Sequence, residues 1–194
     1  MTQVQSIALP LELRSVLARL ASAEVAEDQQ WIIALLRRQG PIVLTVLWRM
    51  LGSEQEVLDA YQTAVCHLAA KGPLGIGGNP GGYFYRTAVN VAIDSIRARR
   101  RQQAHWPRLA EIRQQDASPG ALAVCGEREM LDRMKQAICE LPRHLRNVVI
   151  LRDLAQLPYA QVARMLGIRS GTARLYRRQA VVQLADLMGG RASS

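Results

Sequence analysis

Residues 71–82, KGPLGIGGNPGG, hold six glycines and two prolines in twelve positions. Glycine loses the most backbone freedom on ordering, and proline removes a donor, so no regular element is expected across this segment. It therefore divides whatever surrounds it. On both sides apolar residues recur at i, i+3 and i+4 while strict alternation is rare, which predicts helices rather than strands. The expected fold is all-α: two small helical domains, held apart by a flexible linker.

Before the glycine-rich segment, helices are expected over residues 11–22, 28–39, 42–51 and 53–70. Gly40-Pro41 should bend the chain between the second and third. Ser53, with Glu56 three residues later, has the spacing of a capping box. After it, a helix is expected over 83–103. Its polar stripe carries Arg86, Asn90, Asp94, Arg97 and Arg101, beside an apolar stripe of Tyr85, Val89, Ala92 and Ile96. Asp94 is expected to pair with an arginine. Residues 104–127 mix Pro107, Pro119, Gly120 and Gly126 with weak periodicity and read as the linker. Helices then follow over 128–139, 143–156, 159–166 and 170–187. Trp31, Trp48 and the methionines are expected in the core.

Charge sharpens this division. The chain of 194 residues has a formal net charge of +9. Residues 1–81 carry 6 basic and 7 acidic side chains, residues 82–127 carry 7 and 4, and residues 128–194 carry 12 and 5. The excess is local, and all but Lys71 and Lys135 of the cations are arginines. Such a surface suits a polyanion, and the guanidinium fork matches phosphates and the guanine edge.

Residues 159–184, YAQVARMLGIRSGTARLYRRQAVVQL, fit a helix-turn-helix. Ala163 is small where two helices must cross, and Gly167 stands where the turn needs a positive φ. Val162, Leu166 and Ile168 are expected to join the helices. The second helix then offers Thr172, Arg174, Arg177 and Arg178 to a DNA major groove.

Other chemistries find little support. The glycine-rich segment lacks the G-K-[S/T] of a nucleotide loop and follows no strand. Cys66, His67, Cys139 and His144 match no usual zinc spacing, no catalytic constellation stands out, and no cofactor is expected. Three cysteines without a C-x-x-C pair, and no signal-like N-terminus, are expected of a reduced cytoplasmic chain. No uninterrupted apolar run of ~18–20 residues is evident, so no membrane insertion is expected. A stand-alone helix-turn-helix regulator with a dimerising N-terminal half would share the DNA-binding features.

Taken whole, the chain resembles the extracytoplasmic-function group of sigma factors, within the sigma-70 family. The C-terminal half carries the resemblance in Leu141-Pro142, Arg146, Leu151-Arg152, Ala163, Leu166-Gly167-Ile168, Gly171-Thr172 and Ala180, as in sigma domain 4. The first half carries it in Leu51-Gly52, in Asp59 and Gln62, and in YFYRTAVNVAIDSIRARRR over 83–101, as in sigma domain 2. The resemblance implies an extension of unknown role at 1–28, domain 2 at 29–103, a linker at 104–127, domain 4 at 128–189 and a tail at 190–194.

It also implies roles. Leu58, Asp59, Gln62 and Val65 would dock on the β′ clamp helices of core RNA polymerase, with the β flap as a further contact. Asn79, Tyr83, Tyr85, Asn90, Arg97, Arg99, Arg100 and Arg101 would take the −10 element and its melting. Arg169, Ser170, Thr172, Arg174, Arg177, Arg178 and Gln179 would read the −35 element. Promoter DNA and an anti-sigma factor are the other implied partners, and no bond chemistry is implied.

Overall fold

The computed structural model describes residues 10, 11, 13–15, 18, 30–105 and 119–189. Among these there is no strand. The helices are α1 (Gln30–Leu51), α2 (Glu54–Ile76), α3 (Pro80–His105), α4 (Pro119–Glu140), α5 (Arg143–Val149), α6 (Tyr159–Leu166) and α7 (Ser170–Gly189). Of the helix expected over 11–22, the described positions 11, 13–15 and 18 are helical, and Leu13 is fully buried in the core.

Gly40-Pro41 does not bend the chain: α1 runs through both. A proline inside a helix removes one backbone bond and crowds the carbonyl four residues earlier. Burial of the six consecutive residues from Ile42 to Leu47 outweighs that local cost, and the Thr45 hydroxyl donates to the Pro41 carbonyl at 2.8 Å. α1 spans 22 residues and holds an 18-residue window with a mean hydropathy of 1.2, enough to cross a membrane by length and composition alone. Here its apolar face is packed against α2 and α3.

The glycine-rich segment is more ordered than its composition predicts. α2 continues to Ile76 across a kink at Gly72, whose φ of 68° is open to glycine. α3 then starts at Pro80, with Gly81 and Gly82 in its first turn. Asn79 caps that turn, its Oδ1 accepting the Gly82 N–H at 2.8 Å. Asparagine at the cap followed by proline at the first helical position is a start signal, outweighed in the sequence by the surrounding glycines. At the other end of the loop's preceding helix, Ser53 stands at the cap of α2 but its side chain makes no capping bond. Glu56 pairs with Arg99 instead.

Further corrections concern the second half. α3 extends to residue 105 and α4 begins at Pro119, so helix enters both ends of the expected linker. Pro119 is tolerated because the first helical position needs no amide donor. Residues 106–118, including Trp106, lie outside the described residues. The helix expected over 143–156 ends instead in a wide turn, Ile150–Leu154, closed by the Ala155 N–H donating to the Ile150 carbonyl. Met50 and Met165 are core residues, whereas Met130 and Met134 are exposed on α4. Trp31 and Trp48 are half-buried against the core.

The largest correction is in how the halves sit. α1, α2 and α3 pack on one another, while α4, α5 and α6 gather around α7. The two groups are not held apart: α1 meets the wide turn and α3 meets α6. One apolar core runs through both, joining Phe84, Tyr85 and Val89 of α3 to Val148, Val149 and Ile150 beyond. Tyr61 meets Phe84 edge to face with centroids 5.6 Å apart. The apolar surface on α3 was legible, but its partner was not, because periodicity identifies a buried face without naming what covers it.

Candidate nucleic-acid interface

The helix-turn-helix forms as its residues predict. Gly167 closes α6 in the left-handed region (φ 71°, ψ 34°), and the Ile168 N–H donates back to the Ala163 carbonyl at 3.0 Å. Val162, Ala163, Ala173 and Ala180 are buried, with Leu166 and Ile168 packed against the core. Small residues at 163, 173 and 180 let the backbones approach. Their side chains leave the polar face of α7 pointing away from the body.

On that face the predicted residues divide. Arg169, Arg174, Arg178 and Gln179 are exposed, and Ser170 and Thr172 are half-exposed at the start of α7. Arg177 is held: its Nε lies 2.8 and 3.1 Å from the two carboxylate oxygens of Asp153 in the wide turn. The hydrogen bond and charge of Asp153 push its pKa up. Arg177 thus braces α7 on the scaffold, a correction to its expected role as a free groove contact. The Tyr159 ring lies nearby, 4.9 Å from the Arg152 guanidinium and 5.3 Å from that of the exposed Arg174.

Along α3 the −10 candidates also divide. Asn90, Arg97 and Arg101 are exposed on the expected polar stripe, and Tyr83 is half-exposed. Tyr85 is fully buried, and its hydroxyl donates to the Asn147 carbonyl at 3.2 Å. Consecutive helical residues point in different directions, and Tyr85 falls on the core stripe, so in this structure it is no DNA contact. Burial pushes its phenol pKa up. Arg99 pairs with Glu56 and Arg100 with Glu140, each at 3.2 Å. Asp94 is exposed and lies in no ion pair with a described arginine.

Asn79 bridges the halves. While Oδ1 caps α3, Nδ2 donates to the Met165 carbonyl at 3.0 Å and to the Arg164 carbonyl at 3.4 Å. These carbonyls end α6 and lack partners within the helix. Arg97 repeats the theme: its Nη2 donates to the Cys139 carbonyl at 3.1 Å, near the end of α4. Buried Arg146 reaches the same oxygen through Nη1 at 3.2 Å. Desolvation lowers the Arg146 pKa, and the two guanidiniums gather at the negative end of the α4 dipole. Sequence reasoning missed these acceptors because they are backbone carbonyls, which no residue type announces.

Where α1, the loop and α6 meet there is a cleft of about 880 Å³, bordered by Arg38, Gln39, Asn79, Gly82 and Arg164. On α2, Asp59 and Gln62 are exposed and Leu58 and Val65 half-buried, so the four expected docking residues form one accessible surface.

Two family models match the chain. The model for sigma-70 region 2 matches residues 35–102, and that for sigma-70 region 4 matches residues 131–184, together more than half of the chain. No curated protein matches it. Among solved structures, CnrH in complex with the cytosolic domain of CnrY is 17% identical, covering 91% of this chain and 97% of that one, with a TM-score of 0.44. The sigma factor RpoE in complex with the anti-sigma factor NepR from Bartonella quintana is 19% identical, covering 85% and 98%, with a TM-score of 0.42.

Proposed function

The chain belongs to the sigma-70 family, and from that premise we propose that it is a promoter-specificity subunit of bacterial RNA polymerase, of the extracytoplasmic-function type. Its matched parts are regions 2 and 4, one on each side of residues 106–118. The observation that carries the reading is the recognition helix. α7 is braced from behind by Arg177 on Asp153, and it turns Arg169, Arg174 and Arg178 to solvent.

In this reading α7 enters the major groove of the −35 element, with Arg174 as a base reader and Arg169 and Arg178 at phosphates. Asn79, Tyr83, Asn90, Arg97 and Arg101 serve the −10 element. Opening DNA requires holding an unstacked base, for which a loop, an aromatic ring and arginines are suited. The α2 surface of Leu58, Asp59, Gln62 and Val65 docks on the polymerase clamp, and an anti-sigma factor restrains the protein in the cytoplasm. The protein positions DNA and enzyme and catalyses nothing itself.

The test is run-off transcription from a promoter library with purified core polymerase, with and without the full chain. New start sites sharing −35 and −10 sequences are expected. No association with polymerase and no added start sites would overturn the reading.

A further inference from the structure

We propose that the cavity between α3 and the junction of α4 with α5 is a binding site for a small phosphorylated anion, held by Arg97, Arg143 and Arg146. The site goes beyond the promoter reading and does not depend on it.

The cavity has a volume of about 440 Å³ and is bordered by Asn90, Asp94, Arg97, Glu140, Arg143 and Arg146. That size lies in the range of small-ligand pockets. Arg146 is the anomaly in its wall. It is only 5% exposed, a depth at which a charge is ordinarily paired. Among the described residues its partner is instead neutral, the Cys139 carbonyl, which Nη1 reaches at 3.2 Å. Its buried Nε meets no acceptor there at all.

The neighbours deepen the imbalance. Arg97 donates to the same oxygen from Nη2 at 3.1 Å, so two guanidiniums converge on one carbonyl. Arg143 borders the same cavity and is exposed. Burial lowers the Arg146 pKa most, and the charges of Arg97 and Arg143 lower it further. Of the two bordering carboxylates, Glu140 is engaged by Arg100 at 3.2 Å and Asp94 is exposed. Among the described residues neither forms an ion pair with Arg146. The end of the α4 dipole offers roughly half a negative charge, too little for three guanidiniums.

A phosphoryl group supplies what this wall lacks: several anionic oxygens matched to guanidinium forks. Asn90 and Asp94 add an amide and a carboxylate to the lining, groups that suit the hydroxyls or amines of a carrier. A nucleotide has both parts. A duplex, by contrast, presents its phosphates along a broad rod, which meets exposed arginines but not one recessed as Arg146 is.

Isothermal titration calorimetry of the full chain tests the site with three probes: inorganic pyrophosphate, ADP and a short DNA duplex of arbitrary sequence. Saturable binding of pyrophosphate and ADP at a single site is expected, together with a melting temperature that rises with their concentration. Arg143→Gln, a change at an exposed position, should weaken both about tenfold. Arg146→Met should abolish binding without lowering the stability of the ligand-free chain, because it removes an unpaired buried charge while Arg97 still satisfies the Cys139 carbonyl. Arg133→Gln removes one positive charge elsewhere on α4, where Arg133 is exposed, and should bind as the wild type does.

Absence of saturable binding by both small anions would overturn the site, as would equal weakening in Arg133→Gln and Arg143→Gln. Duplex binding that falls in Arg143→Gln while the small anions bind nowhere would assign these arginines to a DNA backbone instead, and would overturn it too. Should Arg146→Met fail to fold, the comparison of Arg143→Gln with Arg133→Gln decides the question alone.

Discussion

The side-chain amide of Asn79 donates to the main-chain carbonyl of Met165 at 3.0 Å, tying the start of α3 to the end of α6 across 86 residues of sequence. The contact sets the first part of the chain, which carries the glycine loop, against the helix that precedes the recognition helix. It makes the two halves one body in this conformation. It also gives a loop asparagine a structural duty that competes with any duty toward DNA.

On α7, neighbouring arginines should behave differently. Arg174→Ala should weaken −35 sequence discrimination by ~1–3 kcal/mol, since Arg174 is exposed on α7 and the proposed function makes it a base reader. Competition binding of holoenzyme to promoters varied at the −35 element measures this, and an unchanged preference profile would contradict it.

Arg177→Ala should act on stability instead. Its ion pair with Asp153 is partly solvated, with side chains 40% and 33% exposed, so a loss of only about 0.5–1 kcal/mol is expected. Asp153→Ala should cost a similar amount, and the double variant little more than either alone. Additive losses in urea unfolding would show that the pair does not brace the helix.

Asp59→Ala should impair polymerase binding without changing the melting temperature, because Asp59 is exposed on α2 and buries nothing. Comparing pull-down affinity with thermal unfolding of the same protein separates the two. Unchanged core affinity would remove Asp59 from the docking surface.

Gly167→Ala should destabilise the helix-turn-helix by about 1–2 kcal/mol, the cost of a left-handed backbone for a residue with a Cβ. Gly167 has a φ of 71° and terminates α6. A smaller loss than that of an alanine change at Gly78, whose φ is not positive, would be the wrong order.

Alkaline stability should follow two buried phenols. Burial raises the pKa of both Tyr61 and Tyr85 in the folded chain, so the neutral forms are favoured by folding. Their contribution is complete below the unfolded value and is lost as pH rises. Stability should therefore fall above pH of about 10, and less steeply in Tyr61→Phe. Denaturant titrations across pH 8–12 test this, and a flat profile would contradict it.

The sequence by itself determined the local architecture. Periodicity over 83–103 marked Val89, Ala92 and Ile96 as buried and Asn90, Arg97 and Arg101 as outward, and the structure agrees. Ala163 and Gly167 marked the helix-turn-helix because a close crossing and a left-handed turn each demand a particular residue type. These are short-range constraints, carried by neighbours a few positions apart.

Tertiary structure alone decided the rest. Pro41 reads as a break until burial of the helix around it outweighs the lost bond. Arg177 reads as a groove contact until Asp153, 24 residues away, comes within 2.8 Å. Asn79 reads as a free loop side chain until the end of α6 arrives. For Arg177 and Asn79 the partner is distant in sequence, and for Asn79 it is a main-chain carbonyl that every residue possesses. Spacing can specify which face of a helix seeks a partner, but only the packed chain settles which oxygen meets it.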